Sequence, residues 1–436
     1  MTVAPVAGVD GPLRAAVAKV NRRLLPLFVA LFIVNYLDRV NVGFIKHDLM
    51  TAIGIDAATF GFGAGLFFIG YLLFEVPSNI ALQRFGARIW LTRIAVTWGL
   101  VATALAFVQT ATQFHVARFA LGAAEAGFFP GVVYHFTRWL PAADRGRAMA
   151  IFLSGSALAS VLSGPLAGLL LRIEGLGLAG WQWLVIIEGL ASVVIGIVAG
   201  LRLDARPSDA AWLLPAERAS LEAAIADEQA RRAGDGAAGV GLVGLVRDPQ
   251  ILLFCGIYFA IQLTIYAVTF WLPSIIQAQG GLSDLQIGLL NSVPWLISIA
   301  GMVLAAAAAA RWRHQQAWLA TALVVAGLGM WFATTGGPLV AYAGICFAAL
   351  GFKSAASLFW PIPQGYLDSR CAAAAIAVIN SVGNLGGFVA PAVFGWLESR
   401  TGSVRGGLLG LAATSIVTAA IVFLVRARPA SPRAAT

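Results

Sequence analysis

The sequence predicts an all-α integral membrane protein with twelve transmembrane helices in two six-helix bundles. Of the 436 residues, 59% are hydrophobic and 11% are charged, whereas a soluble domain carries about 25% charged residues. The mean hydropathy of +0.84 indicates a surface that faces lipid. About twelve apolar runs come close to the roughly 20 residues that a spanning helix needs. One polar stretch divides these runs six and six.

The predicted spans follow one another with short connections. They lie near residues 24–45, 58–80, 89–109, 113–137, 146–171, 182–203, 250–276, 286–309, 316–335, 339–365, 373–397 and 405–426. The spans divide the chain into five regions. We expect a cytoplasmic N-terminal segment at 1–22, an N-terminal bundle at 23–203, a cytoplasmic linker at 204–249, a C-terminal bundle at 250–427 and a cytoplasmic tail at 428–436.

The basic residues set the expected orientation. The net charge is +9, but the basic residues lie between apolar runs, which favours a topological signal over nucleic-acid binding. With both termini in the cytoplasm, the inner segments collect most of the Lys and Arg residues, and the outer loops keep only Lys46, Arg172, Arg400 and Arg405. The positive-inside rule therefore predicts a multi-pass protein of the cell inner (plasma) membrane with cytoplasmic termini.

The linker at 204–249 is polar and charged, with a Gly-rich end. Pro215 favours the first turn of a helix, so a short surface helix is predicted from Leu214 to Arg232. Two interpretations are open for this segment: a solvated connection between the bundles, which we favour, or a regulatory loop.

Enzymatic and metal-binding motifs are missing from the sequence. Cys255, Cys346 and Cys371 have no Cys-x-x-Cys spacing, and the four histidines are scattered, which argues against a metal site or a disulfide framework. The chain has neither a Walker loop nor a Gly-x-Ser-x-Gly elbow. We therefore expect a protein that is not an enzyme and that holds no cofactor or metal.

Several motifs give the chain a specific resemblance. They are Asn35-Tyr36-Leu37-Asp38-Arg39-Val40-Asn41, Phe74-Glu75-Val76-Pro77-Ser78-Asn79, Arg84-Phe85-Gly86-Ala87-Arg88, the run from Arg118 to Gly131, Trp181-Gln182-Trp183 and the run from Asn380 to Gly387. With these motifs the sequence resembles the major facilitator superfamily. More narrowly, it looks like the anion:cation symporter family, whose members carry organic anions such as sugar acids, tartrate and aromatic carboxylates.

The resemblance implies that the first, fourth, seventh and tenth spans line a central cavity. The spacing of polar residues can be read independently. Three spans carry stripes at i, i+4 and i+7 or i+8, which share one helix face. The stripes are Arg118, Gly122, Glu125 and Phe129; Tyr258, Gln262, Tyr266 and Thr269; and Lys353, Ser357, Trp360 and Gln364.

Asp38, Glu125 and Arg118 are the predicted proton-coupling residues. Ionisable residues inside a membrane are costly and by default functional, and similar sugar-acid symporters are thought to use an acid at the two carboxylate positions. The structural alternative is a pair of static ion pairs, Asp38 with Arg39 and Arg118 with Glu125.

Arg39 and Lys353 are the predicted substrate-binding cations, because an anion between the two halves would contact both. Arg offers a fork that fits a carboxylate, and Lys offers a point charge. The alternatives are pairing of Arg39 with Asp38 and snorkelling of Lys353. Further substrate contacts are predicted for Tyr36, Gln262, Asn384 and Trp360, for which helix packing is the alternative.

The loop after the second span is the predicted gate, formed by Glu75, Arg84, Gly86 and Arg88. We expect Glu75 to tie this loop through Arg84 and Arg88. The superfamily loop usually reads Gly-x-x-x-Asp-Arg-x-Gly-Arg, whereas this sequence has Asn79 at the Gly position and Gln83 at the Asp position.

The sequence thus predicts a secondary active transporter. It would take up a small organic anion or carboxylate together with protons, by alternating access across the inner membrane. The alternatives are an organic-anion exchanger or uniporter of the same fold and a transporter-like membrane sensor. The expected partners are the anion, protons and the lipid bilayer, with no nucleic acid, and the family resemblance implies a monomer.

Overall fold

The computed structural model describes residues 10–234, 247–312, 314–366 and 372–425. Its α-helices, numbered in chain order, are α1 Asp10–Val40, α2 Lys46–Ile53, α3 Ala57–Phe85, α4 Ala87–Ala104, α5 Ala111–Glu125, α6 Phe128–Trp139, α7 Ala142–Leu170, α8 Gly180–Arg202, α9 Pro215–Gly234, α10 Pro249–Gln277, α11 Asp284–Trp312, α12 Gln315–Phe332, α13 Pro338–Phe359, α14 Pro361–Tyr366, α15 Ala372–Asn384, α16 Gly386–Thr401 and α17 Arg405–Ile421. Residues 1–9, the tail at 428–436 and Cys371 lie outside the described residues.

Within the described ranges, ten spans are long and apolar enough to cross a membrane. Three of them are interrupted rods, in which α5 continues as α6, α13 as α14 and α15 as α16. The helices α1 and α12 complete a set of twelve, and the apolar part of α1 contains Arg23, Asp38 and Arg39. The α1 helix begins at Asp10, so part of the expected N-terminal segment is already helical.

Local chemistry sets the helix ends. Asp56 caps α3 because its carboxylate accepts a hydrogen bond from the Thr59 amide at 2.9 Å, and the hydrogen bonds from Thr59 hold the pKa of Asp56 below its usual value. The helix α3 ends at Gly86, with φ of +81°. Between α5 and α6, Gly127 has φ of +88°, and a Cβ there would lie 2.2 Å from Ser78 Oγ. Only glycine fits this break.

The helices form two halves of six rods each. In the first half α4 packs on α8, α3 on α5 and α1 on α7, and in the second half α12 packs on α13 and α17, and α10 on α15. The halves meet along two seams, α3 with α16 and α7 with α11. Each seam joins the second rod of one half to the fifth rod of the other. The two seams are therefore equivalent under the approximate twofold symmetry that relates the halves.

Glycines let the backbones touch at these seams. A Cβ at Gly61 would lie 2.0 Å from the Pro391 carbonyl oxygen, and a Cβ at Gly164 would lie 2.0 Å from that of Gly288. Gly61 and Gly288 lie near the starts of α3 and α11, and Gly164 lies near the end of α7. The halves are therefore pressed together at one end of the molecule. We call it the far end, and the opposite end, where α9 lies, the linker end.

The predicted linker helix is present as α9, and it is held by the first half. Glu217 pairs with Lys19 of α1 at 2.8 Å, and this hydrogen bond lowers the pKa of Glu217. Arg145 of α7 makes a two-pronged contact with Glu228 at 2.7 and 2.9 Å. Trp212, just before α9, stacks on Trp139 with centroids 5.8 Å apart. One face of the segment from Trp212 to Glu228 is thus docked on the first half, while residues such as Glu222 on the other face are exposed.

Candidate functional site

Arg39 and Asp38 are neighbours in sequence but face different parts of the molecule, because consecutive residues on an α-helix point about 100° apart. Arg39 forms an ion pair with Glu125 of α5. Its guanidinium lies 5.2 Å from the Phe67 ring centroid and 5.7 Å from that of Tyr71. Glu125 is fully buried, and the Arg39 side chain is 16% exposed. One charged pair of the first half therefore lies beside aromatic rings.

Neither of the two ion pairs given as structural alternatives is formed among the described residues. Among the described residues, Glu125 pairs with Arg39 rather than with Arg118, and no ion pair joins Asp38 to Arg39. Arg118 is fully buried. It donates to the Ala64 carbonyl at 3.2 Å and lies 5.2 Å from the face of Phe67. Phe67 thus lies within cation–π distance of both arginines.

Asp38 faces away from this pair, into the packing of α1 with α4 and α8. Its Oδ2 accepts hydrogen bonds from Trp98 Nε1 at 3.0 Å and from Ser192 Oγ at 2.5 Å. Its Oδ1 is buried without a hydrogen-bond partner. The residue is 1% exposed. Asp38 and Glu125 therefore lie in two different environments, one with neutral donors and one with a cation.

The second half places polar and aromatic groups on the α10 face that the sequence pattern indicated. Gln262 donates to Asn384 Oδ1 at 3.3 Å. Tyr258 lies 4.8 Å from the Trp360 ring. Tyr266 packs edge-on against Phe68 of the first half at 4.5 Å and lies close enough to Arg39 to interact with its guanidinium. Through Tyr266 the two halves meet beside Arg39.

Lys353 of α13 lies beside α11. Its Nζ is 5.4 Å from the ring centroid of Trp295 of α11. Trp295, Tyr36, Ser163, Thr269 and Asn291 line a cavity of about 10 Å³ between the halves, which is close to the smallest volume that holds a water molecule. Lys353 and Tyr36 are thus connected through Trp295 and this cavity.

The predicted gate residues remain separate from one another. Glu75 forms no ion pair with Arg84 or Arg88 among the described contacts. Arg88 instead donates to the Gly200 carbonyl at 2.9 Å, and Arg84 lies 5.6 Å from the Phe85 ring. Gly86 supplies the positive φ that lets α4 start directly after α3. The expected tie through Glu75 is therefore wrong.

A cluster at the far end was missed by the sequence reasoning. Lys46 of α2 forms an ion pair with Glu398 of α16 at 2.6 Å. Trp271 of α10 donates to the same carboxylate at 2.6 Å, and Lys46 Nζ lies 4.6 Å from its ring centroid. The Lys46 side chain is 4% exposed, and its burial lowers its pKa. The one sequence signal was that Lys46 breaks the positive-inside rule. We call Lys46, Trp271 and Glu398 the far-end cluster.

Comparison with known proteins places this architecture in a family. The sequence profile described as Major Facilitator Superfamily matches residues 28–391. The chain belongs to the major facilitator superfamily. This major facilitator protein is therefore a multi-pass membrane protein of a transporter family, and the prediction that it is not an enzyme is confirmed.

Individual relatives agree with this assignment. The major facilitator protein is 40% identical over 414 residues to a "Putative tartrate transporter" of Agrobacterium vitis, covering 94% of both chains. It is 36% identical to the "Putative metabolite transport protein NicT" of Pseudomonas putida, covering 97% of this chain and 96% of the relative. The fold is similar to a bacterial homologue of the human lysosomal transporter Spinster in an inward-facing state, with a TM-score of 0.75 at 14% identity, covering 95% and 97% of the two chains.

We expect Glu398→Gln to loosen the far end of this major facilitator protein. The change would leave the buried Lys46 ammonium without its counter-charge, which costs about 1–3 kcal/mol and so shifts the opening equilibrium by roughly tenfold. The measurement is the rate at which an impermeant maleimide labels Thr269→Cys in a background without native cysteines. Thr269 is 6% exposed and lines the small cavity between the halves, so labelling from the far side reports opening of that end.

The matched control removes both charges. Lys46→Met combined with Glu398→Gln leaves no unpaired ammonium, so labelling should return towards the rate of the parent protein. Equal labelling rates in the parent and in Glu398→Gln would show that the ion pair does not hold the far end closed.

Proposed function

We propose that the protein is a proton-coupled symporter that takes up a small organic anion by alternating access. The observation that carries this proposal is the ion pair between Arg39 and Glu125. Arg39 is the kind of cation that binds a carboxylate through two parallel hydrogen bonds. Its partner Glu125 is itself a carboxylate and can take up a proton. A proton on Glu125 would free Arg39 for a carboxylate of the substrate.

Competition between Glu125 and the substrate carboxylate for Arg39 couples transport of the anion to transport of the proton. With Glu125 ionised, Arg39 is already neutralised, and a second anion beside the pair would add an uncompensated buried charge. With Glu125 protonated, the substrate carboxylate replaces it, and the total charge of the loaded site is unchanged. The site therefore favours binding of anion and proton together.

Tyr266 and five of the predicted substrate residues have proposed roles around this pair. Tyr266 lies beside Arg39 and belongs to the other half. Substrate binding at Arg39 can therefore change the packing of α10 through this contact. Gln262 and Asn384, which are bonded to each other, can turn their amide groups towards substrate hydroxyl or carboxyl groups. Trp360 would stack against the substrate, and Lys353 and Tyr36 would contact its far part through the cavity beside Trp295.

The tight seams at the far end fit a transporter that is closed at that end. If the linker end is cytoplasmic, as the distribution of basic residues predicts, this is the inward-facing state. We propose that the protein lies in the inner membrane as a monomer with cytoplasmic termini. The naming of two relatives as tartrate transporters supports a hydroxylated dicarboxylate as the first substrate to try.

The test uses the purified protein in liposomes that contain a pH dye. Tartrate, sugar acids and aromatic carboxylates are added outside one at a time, and internal acidification is recorded together with entry of labelled acid. We expect acidification with one class of acid and its loss in Glu125→Gln, which cannot exchange a proton at this position. Entry of the acid without acidification would contradict symport and favour exchange or uniport, and no entry of any acid would favour a sensor.

A further inference from the structure

Two buried donors from different halves hold the carboxylate of the far-end cluster. Glu398 accepts hydrogen bonds from Lys46 Nζ of α2 and from Trp271 Nε1 of α10, each at 2.6 Å. The Lys46 side chain is 4% exposed, and Trp271 is fully buried. Packing leaves buried side chains few other positions, so both donors remain directed at the same point. They form a preorganised site for a carboxylate, and Glu398 occupies it in this structure.

Space for a ligand lies directly beside this carboxylate. A cavity of about 340 Å³ has Lys46 and Glu398 in its wall, and pockets that bind small molecules measure roughly 300–1,000 Å³. The wall comes from both halves. It includes Lys46, His47 and Met50 from α2, Ser274 and Gln277 from the end of α10, and Glu398 from α16. A ligand whose carboxylate took the position of Glu398 would have room for the rest of its atoms in this cavity.

Lys46 and Glu398 differ in their access to water. The Glu398 side chain is 25% exposed, whereas that of Lys46 is 4% exposed. Glu398 can therefore turn into the open cavity and be solvated, but the Lys46 ammonium stays buried. A buried ammonium without a counter-charge is strongly disfavoured, so Glu398 leaves most readily when another anion takes its place. An exchange of carboxylates meets this condition, because the number of charges beside Lys46 does not change.

The other polar groups of the cavity define the class of ligand. Ser274 and Gln277 are three residues apart on α10, so their hydroxyl and amide groups lie on one helix face. His47 of α2 is exposed and adds a further hydrogen-bonding group. These groups can bond to the hydroxyl groups of a ligand, whereas only an anion can replace Glu398 beside Lys46. The chemistry of the cavity fits a small hydroxylated carboxylate.

We propose that Lys46 and Trp271 bind a small hydroxylated carboxylate at the far end, in place of Glu398. The ion pair that this ligand breaks joins α2 of the first half to α16 of the second half. Its loss leaves the neighbouring Ser399, which donates to Asp56 at 2.8 Å, as a tie between the halves. An anion that arrives at the far end thus weakens the closure of that end before it reaches the central ion pair. This effect on transport rests on the proposed uptake, whereas the binding itself does not.

The test follows Trp271 by fluorine NMR of the purified full-length protein labelled with fluorotryptophan. The signal of Trp271 is assigned by its absence in Trp271→Phe. The background carries Arg39→Gln and Glu125→Gln, so the central pair cannot bind the ligand. Addition of malate should shift the Trp271 signal in a saturable way, because the carboxylate that accepts from the indole N–H is exchanged. Malamide, the neutral amide of similar size, should not shift it.

Variants of the two charged residues identify the site. Lys46→Met should abolish the shift, while the other tryptophan signals report that the variant is folded, and Lys46→Arg, which keeps the charge, should retain the shift. Glu398→Gln removes the internal competitor, so the malate concentration at half-saturation should fall by about tenfold. Arg400→Gln removes an exposed cation two residues further along α16 and should leave that concentration unchanged.

A second measurement reports the effect on the far end. In the same background, malate should raise the rate of maleimide labelling of Thr269→Cys from the far side by up to about tenfold, the effect expected of Glu398→Gln. A Trp271 shift that persists in Lys46→Met, or no saturable shift in Glu398→Gln, would overturn the proposal. A Trp271 shift without acidification of liposomes by any acid would support the site and contradict symport. Acidification without a Trp271 shift would support symport and overturn the site.

Discussion

Replacement of Arg39 by glutamine should reduce anion uptake by at least about 30-fold. Loss of one partner of a buried charge pair costs roughly 2–5 kcal/mol, and about 1.4 kcal/mol corresponds to a factor of ten. In the proposed mechanism the substrate carboxylate takes the place of Glu125 on Arg39, and no other arginine among the described residues near this site is free to bind it. Arg118 is held under Phe67 and bonded to the Ala64 carbonyl. The measurement is the initial rate of labelled-acid uptake into liposomes at matched protein density.

Three further variants serve as controls for this result. Arg39→Lys keeps the charge but loses the fork, so a rise in KM of about tenfold is expected. Arg39→Gln leaves Glu125 buried without a cation, so the double variant with Glu125→Gln tests whether any loss of folded protein comes from that charge. Arg172→Gln changes an exposed loop arginine and should transport normally. Uptake by Arg39→Gln above a tenth of the parent rate would exclude Arg39 as the main substrate cation.

Replacement of Gly164 by alanine should reduce uptake by at least about tenfold without unfolding either half. The new Cβ would lie 2.0 Å from the Gly288 carbonyl oxygen. Because the clashing atom belongs to the backbone, the steric overlap can be relieved only if α7 and α11 separate. Separation prevents closure of the far end, and alternating access requires that closure in every cycle. Uptake and maleimide labelling of Thr269→Cys give the two measurements, and labelling from the far side should rise as uptake falls.

The chain offers close controls for this glycine. Gly288→Ala should have a similar effect, because its Cβ would lie 2.1 Å from the Gly164 carbonyl oxygen. A Cβ at Gly410 of α17 meets nothing within 4 Å, so Gly410→Ala should transport normally. Normal uptake and unchanged labelling in Gly164→Ala would mean that the seam between α7 and α11 adapts without cost.

The long-range pairing of charges is what the sequence could not predict. Runs of apolar residues predicted the twelve rods, since length and composition are local properties. Adjacency made pairing of Asp38 with Arg39 the structural alternative, although neighbouring residues on a helix face different directions. The actual partners are far apart: Arg39 and Glu125 are separated by 86 residues, and Lys46 and Glu398 by 352. Only the packing of helices brings these charges together.

Which residues share a helix face was more predictable from the sequence than which residues contact one another between helices. The spacing of Tyr258, Gln262 and Tyr266 puts the three side chains on one face of α10, because the helical repeat fixes it. The same reasoning for Arg118, Gly122 and Phe129 crosses the break at Gly127, where the positive φ resets the helix direction. The hydrogen bond from Asn41 of α1 to Glu188 of α8 likewise depends on how these two helices pack, which no local pattern indicates.

The docking of α9 changes where the two halves of the polypeptide can be separated. Because Glu217 and Glu228 are bonded to the first half, a gene divided at codon 204 would produce a first piece in which Lys19, Trp139 and Arg145 have lost their partners. A gene divided after codon 234 would leave that surface covered. The remaining connection, from Gly234 to Pro249, can reach at most roughly 50 Å when extended. Co-expression of two fragments, or insertion of a fluorescent domain, is therefore best tolerated after α9 and not before it.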